Sequence, residues 1–162
     1  MALINGSSSS ETLSGTIGLD TINGFGGNDF LTGMKGNDAL RGGDGNDDLL
    51  GGEGADWLAG GAGDDRLRGA VDSLGVRDAV IDGGTGVDLA VLDYSLELEA
   101  TTLDLSDPTI RQNVQGTRLV NVEQLDFTGG FFADNITGGA LADTLSGNRG
   151  RDSLTGGGGD DV

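Results

Sequence analysis

The sequence predicts an all-β solenoid, a stack of short parallel strands joined by glycine-rich turns, and three observations point there. A nine-residue phrase repeats without a gap through GTIGLDTIN (15–23), GFGGNDFLT (24–32), GMKGNDALR (33–41), GGDGNDDLL (42–50), GGEGADWLA (51–59) and GGAGDDRLR (60–68). Its sixth position is always aspartate (Asp20, Asp29, Asp38, Asp47, Asp56, Asp65) and its eighth always aliphatic (Ile22, Leu31, Leu40, Leu49, Leu58, Leu67). Among 162 residues there are 33 glycines but only five Phe, one Trp and one Tyr, too few bulky groups for a conventional globular core. Units that cannot bury an apolar face alone must stack on their neighbours.

The first six residues of each unit suit a tight turn with positive-φ positions, which glycine visits at no steric cost. The last three are expected as a very short strand whose eighth-position side chain alone points inward, since successive strand residues face opposite ways. The predicted core is therefore one aliphatic column per side. Two units make one coil, so Asp20, Asp38 and Asp56 line one edge and Asp29, Asp47 and Asp65 the other, each 18 residues from the next. A degenerate unit, GSSSSETLS (6–14), precedes them, with Glu11 in the aspartate slot and Leu13 in the apolar one.

Stacked strands lie about 4.7–4.9 Å apart, so each edge holds a column of close like charges that needs a counter-cation. Calcium suits it: a hard ion that takes about 6–8 oxygen ligands, carboxylate and carbonyl, in flexible geometry, where magnesium demands near-ideal octahedra and keeps its waters. The competing role, turn capping by Asx hydrogen bonds, would tolerate asparagine, and none occurs at these six positions. A formal net charge of −18 also argues for a cation, and against nucleic acid or an anionic membrane as partner. The absence of cysteine and histidine excludes thiolate sites, the usual zinc sites and histidine-based catalysis within this chain. The start, MALINGSSSS, has neither a basic nor an apolar region of a cleaved signal, and no apolar run approaches transmembrane length.

The repeat resembles the RTX (repeats-in-toxin, haemolysin-type calcium-binding) nonapeptide GGxGxDxUx, most specifically over residues 15–68. The resemblance implies a right-handed parallel β-roll. It also implies calcium between same-side turns, bound by second- and fourth-position carbonyls of one turn, first- and third-position carbonyls of the next, and both aspartates. Carried over, one set is Thr16, Gly18 and Asp20 with Gly33, Lys35 and Asp38; the next is Met34, Gly36 and Asp38 with Gly51, Glu53 and Asp56. On the other edge the sets are Phe25, Gly27 and Asp29 with Gly42, Asp44 and Asp47, then Gly43, Gly45 and Asp47 with Gly60, Ala62 and Asp65. At least four Ca2+ ions follow, Asp38 and Asp47 each bridging two, with a weaker candidate at Glu11 and Asp29.

Three segments are expected. Residues 1–91 form the first array, interrupted by an insertion at about 69–78, after which Asp78 and Val80, then Asp88 and Ala90 of GGTGVDLAV (83–91), regain the slots. Residues 92–128 alternate apolar and polar at Leu96/Leu98, Leu103/Leu105, Val120/Val122 and Leu125/Phe127, which predicts longer β-rungs continuing the solenoid, with SDPT (106–109) as a turn, or else a small insert. Residues 129–162 form a second array with Asp134, Asp143, Asp152 and Asp161; Phe132 and Leu141 replace fourth-position glycines, which predicts distorted turns and weaker sites. The last unit stops at Val162, one residue before its aliphatic slot, which predicts a longer natural solenoid with a cap.

No G-x-S-x-G, H-E-x-x-H or P-loop is present, and the acidic residues outside the motif (Asp93, Glu97, Glu99, Asp104, Glu123, Asp126) alternate with apolar ones as solvent-facing strand positions would, so no enzyme is expected. The outward seventh positions, Thr12, Thr21, Phe30, Ala39, Asp48, Trp57 and Arg66, form no regular rank, which opposes an ice-adhesion face. The expectation is a secreted, extracellular bacterial calcium-binding module, unfolded at cytosolic calcium and folded outside the cell. By resemblance it is a substrate of type I secretion machinery. The alternatives are an adhesion or glycan-binding solenoid that calcium rigidifies, with Trp57 and Tyr94 as contacts and the surface partner unidentified, and a non-catalytic module of a secreted hydrolase or epimerase.

Overall fold

The structure, a computed structural model, describes residues 1–70, 75–108 and 111–162, with the backbone alone at Ala70. Among these the chain forms seventeen strands and no helix. The N-terminal strands are β1 (Leu3–Asn5), β2 (Thr12–Ser14), β3 (Thr21–Gly26), β4 (Phe30–Lys35), β5 (Ala39–Asp44), β6 (Asp48–Glu53), β7 (Trp57–Ala62) and β8 (Arg66–Ala70). Then come β9 (Val80–Thr85), β10 (Leu89–Asp93), β11 (Thr102–Asp104), β12 (Gln112–Val114), β13 (Thr117–Val120), β14 (Gln124–Thr128), β15 (Asn135–Thr137), β16 (Thr144–Ser146) and β17 (Ser153–Thr155).

Alternate strands assemble on opposite sides, as two units per coil require. One sheet runs β1-β3-β5-β7-β9-β13-β12, the second β16-β14-β10-β8-β6-β4-β2, and a third β11-β15-β17. The ladders are parallel except where β12 meets β13, and the register stacks the inward residues: Ile4, Ile22, Leu40, Leu58, Ile81 and Leu119 on one side, Leu13, Leu31, Leu49, Leu67, Ala90 and Leu125 on the other. From Ile22 and Leu31 onward these columns are fully buried. After the insertion the aliphatic slot is filled by Ile81 and not by the expected Val80, which pairs with the outward Trp57 and is only half-buried, because the register of β9 against β7 is shifted by one residue from the motif's spacing after Asp78. The chain is a parallel β-roll.

The strands of the first array are longer than expected. β3 to β7 each span six residues and run on through the first three positions of the following unit. Consequently the first-position glycines Gly24, Gly33, Gly42, Gly51 and Gly60 face inward and are buried. Pairing survives although the second position has a positive φ, 77° at both Phe25 and Met34 and 106–125° at Gly43, Gly52 and Gly61. Phe25 and Met34 hold a conformation that L-residues seldom adopt.

Residues 71–74, inside the expected insertion, and Thr109 of the expected turn lie outside the described residues. Beyond them β9 and β10 resume the two sheets, with β9 beside β7 and β10 beside β8. β13 and β14 add the next rung, beside β9 and β10. Between β10 and β13 the chain departs from the expected alternation. Leu96 and Leu98 are exposed and lie in no strand, because Tyr94 and Glu97 turn inward instead. The Tyr94 hydroxyl meets Thr117 Oγ1 at 3.3 Å, its ring packs edge-on against Phe127, and the Arg77 guanidinium pairs with the buried Glu97 carboxylate. β12 then doubles back on β13 through Gln115 (φ 51°) and Gly116 (φ 105°), two positive-φ residues of the kind that two-residue hairpin turns need. β11 joins β15 and β14 joins β16, so the second array continues from both of these strands.

Candidate metal centre: the carboxylate ladders

Each motif aspartate is anchored across rungs. Asp38 Oδ1 accepts the Asp20 amide at 2.7 Å, Asp56 Oδ1 that of Asp38 at 2.7 Å, Asp47 Oδ1 that of Asp29 at 2.8 Å and Asp65 Oδ1 that of Asp47 at 2.8 Å. The ladders continue through the irregular region, since Asp78 Oδ1 takes the Asp56 amide and Asp88 Oδ1 that of Asp65. Spacings there stretch to 22 and 23 residues, the length added by the insertion. In the second array Asp134, Asp143, Asp152 and Asp161 take the amides of Thr101, Leu125, Asp134 and Asp143. Through Oδ1 the aspartates thus do cap amides, but those of a neighbouring rung rather than of their own turn.

The second carboxylate oxygen behaves otherwise. Oδ2 of Asp29, Asp38, Asp47, Asp65, Asp88 and Asp134 is buried and meets no donor. A buried charge without a partner is costly. Burial, opposed by the amide bond and reinforced by the neighbouring carboxylates, pushes Asp47 up to about 6, Asp65 to about 7 and Asp88 to about 6, and Asp38 and Asp143 also rise. A cation at Oδ2 would remove this penalty and hold the carboxylates ionised.

The glycines show where that cation fits. A Cβ on Gly33 would stand 2.5 Å from both Asp38 Oδ2 and Gly51 O, so two oxygens of one expected set converge on a face that only glycine leaves open. Gly24 stands likewise against Asp29 Oδ2 and Gly42 O, Gly42 against Asp47 Oδ2 and Gly60 O, and Gly15 against Asp20 Oδ2 and Gly33 O. Carbonyls of Phe25, Gly27, Met34, Gly36, Gly43 and Gly45 face the matching glycines of the next same-side turn. No three acidic side chains gather into a cluster among the described residues, so most ligands would be carbonyls, which calcium accepts and softer metals do not prefer. Third-position carbonyls of Glu53 and Ala62 accept the Gly36 and Gly45 amides at 2.8 and 2.7 Å, and each keeps a second lone pair.

Two expected sites differ. Thr16 donates its N–H and Oγ1 to Asp20 Oδ2, at 2.6 and 2.7 Å, which holds that carboxyl below its usual range, and the Thr16 carbonyl accepts the Lys35 amide. Ser7 satisfies Glu11 in the same manner through its N–H and Oγ, both at 2.7 Å. In the second array the Gly139 amide takes Asp143 Oδ2 at 2.7 Å, and Asp161 is exposed.

Two residues read as solvent-facing or accessible are not, and a third, half-buried, has a partner in the ladder. Glu97 is buried and ion-paired, Tyr94 is buried and offers no surface to a glycan, and Glu123 sits in a ladder: Asp88 pairs its amide with Glu123 Oε2 at 2.9 Å. No nonapeptide surrounds Glu123, so the repeat pattern gave no signal for it.

A family model matches residues 5–40, 41–73 and 128–162: the RTX calcium-binding nonapeptide repeat, in 4 copies. No curated protein matches the chain.

Proposed function

Since the chain belongs to the RTX calcium-binding nonapeptide repeat family and is a calcium-binding β-roll module, we propose that it is a folding switch of a secreted bacterial protein, unfolded at cytosolic calcium and rigid after type I secretion. The observation that supports this most is the row of buried Oδ2 atoms without donors at Asp29, Asp38, Asp47 and Asp65, each facing a glycine-floored gap. A calcium ion held there by the carboxylates and turn carbonyls would supply the positive charge that those oxygens lack. The residues do the rest: Oδ1 fixes each carboxylate to the rung before, the first-position glycine keeps the gap open, and the aliphatic column excludes water behind it.

With so narrow a core, apolar burial has little to set against about 1–2 kcal/mol of backbone entropy per residue, so ion binding contributes folding free energy directly. Extracellular calcium modules work at about 10⁻⁴–10⁻³ M, a range that supports a transition outside the cell. The test is far-UV circular dichroism during a calcium titration, with magnesium as control, on the chain and on an Asp38→Ala, Asp47→Ala double variant. A cooperative β-signal that needs calcium, and much more of it in the variant, is expected; a full β-signal in chelator would overturn the switch.

A second reading, a glycan-binding face that calcium rigidifies, draws on the outward surface of β1, β3, β5 and β7. There Arg41 stacks on Trp57 at 4.4 Å beside the Asn5–Asn23 side-chain pair. Calcium-dependent retention on immobilised polysaccharide, lost in Trp57→Ala, distinguishes it.

A further inference from the structure

The family motif ends where the ladder does not. On the side of β4, β6, β8 and β10 the amide-to-carboxylate bonds run Asp29 to Asp47, Asp47 to Asp65 and Asp65 to Asp88, and the next step, Asp88 to Glu123 Oε2, leaves the repeat altogether. The pairing of Leu89 with Gln124 sets Glu123 opposite Asp88. Asp82 pairs with Val120, which sets Asn121 opposite Gly83. Three residues, Asn121 to Glu123, therefore span what Gly83 to Asp88 spans with six.

Two features let the short turn do this. Asn121 takes a left-handed φ of 51° and is pinned by its Nδ2, which donates to Asp82 Oδ1 at 2.8 Å. Glutamate has one methylene more than aspartate, so its carboxylate reaches the Asp88 amide from a shortened backbone. The gap beside it has the same make-up as those of the motif. Asp88 is fully buried and its Oδ2 meets no donor. A Cβ on Gly83 would collide with both Asp88 Oδ2, at 2.6 Å, and the Asn121 carbonyl oxygen. Asp38 Oδ2 and Gly51 O crowd Gly33 in this manner within the regular array.

We propose that Asp88, Glu123 and the Asn121 carbonyl form a calcium site outside the nonapeptide motif, which carries the ion column of this side across the break between the two arrays. It rests on the calcium reading of the ladders. Calcium is the fitting ion because its donors here are two carboxylates and a carbonyl, with room for water in a flexible shell. On the opposite side the register sets Gly116, which carries no acid, opposite Asp78.

The experiment counts bound calcium per chain by equilibrium dialysis, with circular dichroism on the same samples. Glu123→Gln keeps the length and an acceptor for the Asp88 amide but removes the charge. It is expected to bind one ion fewer, or one ion roughly tenfold more weakly, with an unchanged β-signal at saturation. Asp126→Asn, the neighbouring acid outside the ladder, is expected to keep the full count. If Glu123→Gln retains every ion at unchanged affinity, the site is overturned while the calcium reading stands; if the unaltered chain binds none, the calcium reading itself fails. Should Glu123→Gln not fold, Glu123→Asp, which keeps the charge but lacks the reach, is counted in its place: one ion fewer is expected, and a full count at unchanged affinity overturns the site.

Discussion

In the turns at 24–29, 33–38, 42–47 and 60–65 the second residue has a positive φ and the aspartate Oδ2 meets no donor, whereas at 15–20 and 138–143 the second residue, Thr16 or Gly139, has no positive φ and its own N–H bonds to that oxygen. Glu11 and Ser7 repeat the second pattern. The φ of one residue sets where one peptide N–H points. A left-handed second position turns the amide away and leaves the carboxylate oxygen for an ion, while an ordinary φ lets the amide take it. Asp134 departs from the rule: its Oδ2 lacks a donor although Gly130, pressed against carbonyls of Tyr94 and Glu97, has no positive φ. The regular turns are thus built to need a cation, whereas those at 6–11, 15–20 and 138–143 satisfy their own carboxylates.

The strongest way to break this contrast is to fill the gap. Gly33 has no positive φ, so Gly33→Ala adds no backbone strain but sets a methyl against Asp38 Oδ2 and Gly51 O. Overpacking of this kind costs about 1–3 kcal/mol, and exclusion of the ion adds to it. A calcium midpoint raised by an order of magnitude or more is expected in the circular dichroism titration, against no change for the exposed Leu98→Ala. An unchanged midpoint would show that the gap holds no ion.

Leu49→Ala removes a fully buried member of the aliphatic column, and a loss of about 2–5 kcal/mol is expected in denaturant unfolding at saturating calcium. Leu145→Ala, at the half-buried end of the same side, is expected to cost distinctly less. Equal losses would contradict a core that thins toward the second array.

Acid sharpens the contrast from the other direction. Asp47, Asp65 and Asp88 have folded values of about 6, 7 and 6 without the ion, above the ordinary 3.8 of the unfolded chain. A raised folded value means that protonation favours the fold, so metal-free stability is fullest below about pH 4 and drains away as pH rises toward 7. The metal-free chain is expected to show more β-signal at pH 5 than at pH 8. With calcium the trend reverses, because the ion needs ionised carboxylates. A metal-free chain indifferent to pH would remove the ladders from this account.

The smallest effect is at Thr16. Thr16→Ala deletes the Oγ1 donor to Asp20 but leaves the N–H bond, a change of about 0.5–1.5 kcal/mol. Thr16→Gly lets the second position turn left-handed and is expected to raise calcium uptake at the first set of ligands, which calorimetry reads. No gain in Thr16→Gly would show that φ at the second position is not what decides.

How much of this was legible depended on the strictness of the pattern. Residues 15–68 repeat without a gap, so strand order, same-side aspartates and the aliphatic columns followed from counting. The six-residue strands did not, because pairing through a glycine turn depends on the partner rung and not on local propensity. Between 94 and 123 alternation misled at Leu96 and Leu98 and hid Glu97 and Glu123. Alternation reports which residues differ in polarity, and it does not say that Arg77 draws a carboxylate inward or that a shortened turn sets a glutamate opposite Asp88.

The sequence by itself determined the all-β solenoid, its period and the acidic residues lining each edge, because identical units related by a fixed translation must place identical positions in register. Tertiary structure alone decided which carboxylate oxygens remain open, how β12 doubles back, and where the ladder continues past the motif. Those outcomes depend on the direction of individual amides and on contacts between residues 14 to 39 positions apart, which no local pattern encodes.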